Sequence, residues 1–346
     1  MTPAFGRTLE VLLEAIANRV FPGAVVEVGG TAQAAATIAV GTLAYDDVAS
    51  VSASTIYDLA SLTKVLSTAT LAAALIEQGV IALDDPVRKW SDAWQGEDRR
   101  GVTLRHLLLH ASGLPAHRRY FETMRGGLAF EAAIGREPLE YAPGEKSVYS
   151  DPGFILLGRV LEHAAGAGLE PQFEAWKRST WSVEPTIGFG PPPAWLPRIA
   201  PTEHDPWRGR VLRGEVHDEN AAALDGAAGH AGLFGTAAAV GAHARWWMSR
   251  ASQEPWATFL ARGNVPGSSR ALGWDTMRTT SSCGTRMSPT AVGHTGFTGT
   301  SLWIDGACDR YVVFLSNRVH PSRAGDAMAR VRPALHDAVA DDLTRG

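Results

Sequence analysis

DLASLTKVLSTATLAAALIEQG, residues 58–79, is the stretch of this chain richest in Ala and Leu. Its apolar residues recur with a period near 3.6 and Gly79 supplies a stop, which predicts a buried helix. The first turn of that helix holds Ser61 and Lys64. A serine at a helix N-terminus meets the positive end of the dipole, which favours an attacking alkoxide and a developing oxyanion. A lysine three residues on lies one turn further along the same face, within reach of the hydroxyl. Desolvated there, it would serve as a base or polarise one. Lysine is also scarce: of 32 basic residues only Lys64, Lys89, Lys146 and Lys177 are lysines. Lysine is the basic residue that sheds its proton when buried, so its placement here is informative. A capping serine followed by a surface lysine would fit the same residues, and the motif needs company.

Upstream, residues 5–20 predict an amphipathic helix, with Glu10 and Glu14 at helical spacing. FPGAVVEVGG and TIAVGTLA then read as two strands joined through Gly29-Gly30. Downstream, LRHLLLH, GFILLGRVLEHAAG and residues 237–250 predict helices. Residues 185–215 carry seven prolines and must be extended or looped. TSLWID and YVVFLSN return to strand pattern, and a helix from about Ala324 closes the chain. Strands at both ends and helices between them predict an α+β fold, a central antiparallel sheet flanked by helices with an inserted all-helical domain. The expected division is 1–58 with 231–346 for the sheet domain, and 59–230 for the helical one, with a Pro-rich loop near 185–210.

Composition removes several function classes. At 346 residues, 45% hydrophobic and 20% charged, the chain has ample material for one or two cores. A net charge of -4 leaves no basic excess for a nucleic-acid backbone. Cys283 and Cys308 cannot build a disulfide framework, and no Cys/His spacing suits zinc. His204, His217, Asp218 and His230 match no metal-binding helix, so neither metal nor cofactor is expected. Apolar runs too short for a membrane, and an N-terminus without a signal-peptide pattern, predict a cytoplasmic protein acting on a small molecule. Oligomeric state is left open.

Two further motifs keep company with Ser61 and Lys64. Tyr149-Ser150-Asp151 follows a Pro143-Gly144-Glu145 turn and precedes an apolar helix, which presents Tyr149 at a loop–helix junction. A tyrosinate near Lys64 would accept the Ser61 proton. GHTGFTGTSLWID, residues 293–305, opens a strand with three glycines, allowing a backbone N–H to approach a substrate carbonyl.

Ser61-x-x-Lys64, Tyr149-Ser150-Asp151 and His294-Thr295-Gly296, in that order, resemble the serine β-lactamase and penicillin-binding-protein superfamily. Tyr149 in the middle motif points to the class C branch. TIYDLASLTKV, TLRHLLLHASGLP and YAPGEKSVYSDPGFILLGRVLE extend the likeness through much of the chain. RGRVLRGEVHDENAAALDGAAGHAGLFGT and FLSNRVHPS look like the class C-related hydrolases that include N-acetylmuramyl-L-alanine amidase and the penicillin-binding protein 4B type. The resemblance implies the β-lactamase/transpeptidase-like fold and an acyl-enzyme on Ser61. It implies Lys64 as the activating neighbour, Tyr149 as general base in acylation and deacylation, and His294 in the place of a lysine. The backbone N–H groups of Ser61 and Phe297 would form the oxyanion hole, with Asp151, Thr295 and Gly296 contacting substrate.

Two residues depart from the class C β-lactamase pattern. Asp151 replaces an asparagine, and an ionised carboxylate only accepts hydrogen bonds, which suits a substrate N–H. His294 replaces a permanent cation, making attraction for a carboxylate weaker and pH-dependent. Both argue for weak or absent β-lactamase activity. His217, Asp218 and His230 are expected to line the cleft, and the loop 189–210 to set specificity. The leading expectation is an amidase on muropeptides such as N-acetylmuramyl-L-alanine. The alternatives are a D-amino-acid peptidase or carboxypeptidase, a promiscuous carboxylesterase, and a non-catalytic sensor of cell-wall fragments.

Overall fold

The computed structural model describes residues 5–344. Six strands form one antiparallel sheet: β1 (Gly23–Gly29), β2 (Ala34–Gly41), β3 (Asp275–Thr276), β4 (Val292–Gly296), β5 (Thr300–Asp305) and β6 (Arg310–Ser316). Their spatial order is β2-β1-β6-β5-β4-β3. Successive side chains of a strand face opposite ways, and the sequence loads both faces. Val26, Val28, Val312 and Phe314 pack with Leu12 of the helix Gly6–Ala17 and with Leu335 and Val339 of the helix Met328–Leu343. Val25, Tyr311, Val313 and Leu315 face the larger core, which includes Val240, Ala244 and Trp247 of the helix Ala237–Arg250. β1 is therefore buried along its whole length, and charge-free β2 is one of the two sheet edges.

GHTGFTGTSLWID, expected as one strand entry, is a hairpin: β4 and β5 are joined by Phe297-Thr298-Gly299, with Gly299 at φ +112°. The closing helix begins at Met328 rather than near Ala324, because Gly325 takes φ +96°, outside the helical region. Helices at Gly127–Ile134 and Leu169–Thr180 were not anticipated from the sequence. The proline-rich span carries only a six-residue 3₁₀ segment and two-residue strands. It is pinned by a bridge between Ile56 and Ile199.

The stretch 58–79 is less regular than its periodicity predicts. Ala60–Leu62 is a 3₁₀ turn, Lys64–Ala69 is wound in the wider π form, and α geometry holds only over Thr70–Glu77. Ala60–Glu77 is apolar and long enough to cross a membrane, but 83% of it is buried inside the fold, so it is a core helix. The helix Asp151–Ala165 packs on Lys64–Ala69. Ser150 caps it by accepting the Gly153 N–H at 3.1 Å, and Gly166 ends it at φ +65°. That packing carries Asp151, at the helix start, to Lys64.

Candidate active site

Ser61 lies in a turn that the backbone does not adopt freely. Ala60 has φ +46°, a region that L-residues rarely occupy. The buried Asp58 carboxylate holds it there, accepting the Ala60 N–H at 2.8 Å. Strand β4 ends against the same turn. A Cβ on Gly296 would lie 2.6 Å from the Leu59 carbonyl oxygen, so only glycine lets the two backbones meet this closely. Thr298 and Thr300 tie them together, donating to the Asp58 and Leu59 carbonyls at 2.7 and 3.1 Å.

Lys64 is fully buried, and each of its three protons has an acceptor. Ser61 Oγ lies at 3.0 Å, Asp151 Oδ1 at 2.8 Å and the His230 carbonyl at 3.1 Å. Burial works to strip the proton, but Asp151 and Tyr149 outweigh it and hold the Lys64 pKa above the ordinary lysine value. Lys64 is thus held as an ammonium, which favours the second of its two expected roles, polarising a base. Its opposite charge, Asp151, is ionised: burial pushes its carboxyl up, but Lys64 and His117 hold it well below the usual carboxylate range. His117 Nδ1 lies 3.6 Å from Asp151 Oδ2. The carboxylate expected to meet a substrate N–H thus also balances the Lys64 charge.

Tyr149 is surrounded by cations and imidazoles. Lys64 Nζ is 4.8 Å and the Arg270 guanidinium carbon 5.1 Å from its ring centroid. The His110 and His294 rings lie at 4.6 and 5.8 Å. Burial raises the Tyr149 pKa, Lys64 pulls it down and Asp151 raises it further; the net direction is up. His294 Nδ1 donates to the Thr295 carbonyl at 2.9 Å, leaving a bare lone pair on Nε2. Burial drives its pKa down to about 4. It is therefore neutral near pH 7, and the pH-dependent attraction expected of it is displaced to acid pH.

His217 and His230, expected to line the cleft, also have partners inside the protein. His217 Nε2 is 2.9 Å from Glu203 Oε2, and its ring stacks on Phe297. His230 Nε2 is 2.8 Å from Asp218 Oδ1, while its carbonyl supports Lys64. Asp218 also caps the short helix Glu219–Ala222. Phe297 and Thr295 remain accessible, Phe297 at 49%.

His110 was missed by the sequence reading, although LLLHASGLP contains it. It accepts the Ser150 N–H on Nδ1 at 3.0 Å, and its ring is sandwiched between Tyr149 and Phe154. Burial leads the effects that hold its pKa well below the ordinary histidine value, so it orients Tyr149 as a neutral ring. Arg270, ion-paired to Asp275 at 2.5 Å, was likewise unmarked in the sequence.

A serine, a buried ammonium and a tyrosine within one cluster, on a helix-flanked antiparallel sheet, are the apparatus of a serine hydrolase. The chain belongs to the Beta-lactamase family, whose model matches residues 9–335. A protein of Escherichia coli strain K12 named "Putative D-alanyl-D-alanine carboxypeptidase" is 30% identical over 309 residues, covering 77% of this chain and 70% of that one. The fold matches that of "EstCE1, a hydrolase with promiscuous acyltransferase activity", with a TM-score of 0.75, 22% identity and coverage of 96% and 97%. A class C β-lactamase from Rhodobacter sphaeroides matches with a TM-score of 0.77, 18% identity and coverage of 97% and 99%.

Proposed function

We propose that this hydrolase cleaves an amide through an acyl-enzyme on Ser61, acting on muropeptide-type substrates such as N-acetylmuramyl-L-alanine, with weak or no β-lactamase activity. The observation that carries the mechanism is the full commitment of the Lys64 protons. An ammonium already donating to Ser61 Oγ cannot take the serine proton. The proton passes to Tyr149 in its phenolate form, which the Lys64 charge favours. Oγ then attacks the scissile carbonyl carbon, and the backbone N–H groups of Ser61 and Phe297 receive the oxyanion. Tyr149 returns the proton to the leaving amine, and in the second half-reaction takes one from the attacking water. The neutral His294 supports the low β-lactamase expectation, since it offers no cation to a β-lactam carboxylate. The free thiols Cys283 and Cys308 suit a reducing, cytoplasmic setting.

Arg270, against the Tyr149 ring, favours a second reading as a D-amino-acid carboxypeptidase, because it supplies a cation for a terminal carboxylate. The name of the E. coli relative points the same way. The deciding experiment is mass spectrometry of products from N-acetylmuramyl-L-alanine and from a D-Ala-D-Ala peptide, with wild type and Ser61→Ala. Release of L-Ala by wild type alone supports the amidase. Release of D-Ala alone replaces it with the carboxypeptidase, and nitrocefin turnover at the rate of a resistance enzyme contradicts the β-lactamase expectation.

A further inference from the structure

Asp58 sits where the two backbones of the expected oxyanion hole meet, and it touches both. Its Oδ1 accepts the N–H of Ala60, the residue before Ser61, at 2.8 Å. Its carbonyl accepts the hydroxyl of Thr298, the residue after Phe297, at 2.7 Å. Its Oδ2 accepts the His217 backbone N–H at 2.6 Å, and the His217 ring stacks on Phe297 with centroids 5.7 Å apart and 27° between planes. That ring is fixed from behind by Glu203 at 2.9 Å, itself ion-paired to Arg323 at 2.5 Å. On its other side Phe297 is held by Arg318, whose Nε donates to the Phe297 carbonyl at 2.9 Å.

We infer that Asp58, acting with His217, is a positioning residue that sets the spacing and orientation of the Ser61 and Phe297 N–H groups. Two features support this over a purely structural role. A buried carboxylate is costly unless hydrogen-bonded, and here both oxygens are used on backbone N–H groups at the site. The left-handed Ala60 conformation, a strained state for alanine, is also found at the residue that orients Ser61, where surrounding hydrogen bonds must over-determine it. An oxyanion hole works by preorganisation, so a shift in either N–H weakens transition-state binding more than substrate binding.

The inference rests on the Ser61 acyl-enzyme reading, and a fluorophosphonate separates the two. In that reaction Ser61 Oγ bonds phosphorus, fluoride leaves, and the phosphoryl oxygen occupies the oxyanion hole. Second-order labelling rates are compared for wild type, Asp58→Asn and Thr298→Val, together with kcat and KM on p-nitrophenyl butyrate. Asp58→Asn is expected to slow labelling and kcat by about 10- to 100-fold, short of the 10²–10³ for removing a donor outright. KM should stay within about threefold. Thr298→Val, a milder cut to the same clamp that decides the matter if Asp58→Asn does not fold, should slow both by about tenfold. Labelling within about twofold of wild type in the folded variants would overturn the inference, as would a smaller labelled fraction reacting at the wild-type rate. No labelling of Ser61 in wild type would remove the acyl-enzyme reading, and the inference with it.

Discussion

Lys64 and His294 are both buried beside Tyr149, yet they are treated in opposite ways. Lys64 donates to Asp151, Ser61 and the His230 carbonyl, and keeps its charge because Asp151 and Tyr149 outweigh its burial. His294 has no counter-ion in contact, and Nε2 has no hydrogen-bond partner among the described residues, so burial leaves it neutral. A buried group stays ionised only where the fold supplies an opposite charge and hydrogen bonds; otherwise it shifts its pKa and neutralises. The site's fixed positive charge therefore stands behind the nucleophile, while the strand that would greet a substrate carboxylate presents an uncharged imidazole. Arg270, shared with Asp275, is the cation on the far side of Tyr149.

Removing Lys64 breaks the charged side outright. Lys64→Ala should lower kcat/KM by at least about 10³. It should also cost about 3–5 kcal/mol of stability in urea unfolding, because it strands the Asp151 carboxylate. Unchanged stability would mean that Asp151 is not paired as described.

Asp151→Asn tests the proton economy more gently. The raised Tyr149 pKa makes the phenolate scarce at neutral pH, so wild-type kcat/KM should climb with pH above 7. Asp151 raises the pKa of both Lys64 and Tyr149, and removing its charge should move that rising limb to lower pH. A limb that stays put, or moves up, would contradict the assignment of the base to this coupled pair.

Converting the neutral side is the third test. His294→Lys should raise the kcat/KM ratio of an anionic to a neutral p-nitrophenyl ester by about tenfold, or about 1.4 kcal/mol. A ratio unchanged by the substitution would show that Arg270 already sets the charge preference.

The smallest effect concerns acid stability. His243 and His336, like His294, are buried neutral, with pKa values pushed down to about 3. Each resists protonation in the fold but accepts a proton near pH 6.5 when unfolded. Stability from all three is thus full above pH 6.5 and is lost progressively as pH falls towards 4 and then 3. His336→Leu, which removes a ring with no hydrogen-bond partner on either nitrogen among the described residues, should flatten the fall in Tm between pH 6.5 and 4.5. A slope equal to that of wild type would remove His336 from the account.

The motifs of the candidate site are local in the sequence, while the roles given to them rest on the family resemblance. Ser61 and Lys64 are three residues apart, and Tyr149 precedes a helix whose apolar period is plain. The sheet could be read as well, since its strands are apolar, β-branched runs that come from both ends of the chain. What the sequence hid is long-range pairing. Nothing near Asp151 announces that its partner is Lys64, 87 positions away, and nothing near His217 announces Glu203. The left-handed turn at Ala60 was invisible because its cause, hydrogen bonds from Asp58, lies outside alanine's own preferences. The helix Leu169–Thr180 escaped because its exposed polar face and the Pro171 in its first turn obscured the period. His294 was read as a weak cation because its residue type shows at sequence level and its burial does not.

The central claim, that Ser61 carries the acyl group, is tested most directly by intact-protein and peptide mass spectrometry of enzyme acid-quenched during p-nitrophenyl butyrate turnover. The account predicts a butyryl mass increment on the peptide containing Ser61 in wild type, with none in Ser61→Ala and turnover lost. A covalent adduct on another residue, or turnover that survives Ser61→Ala, would contradict it.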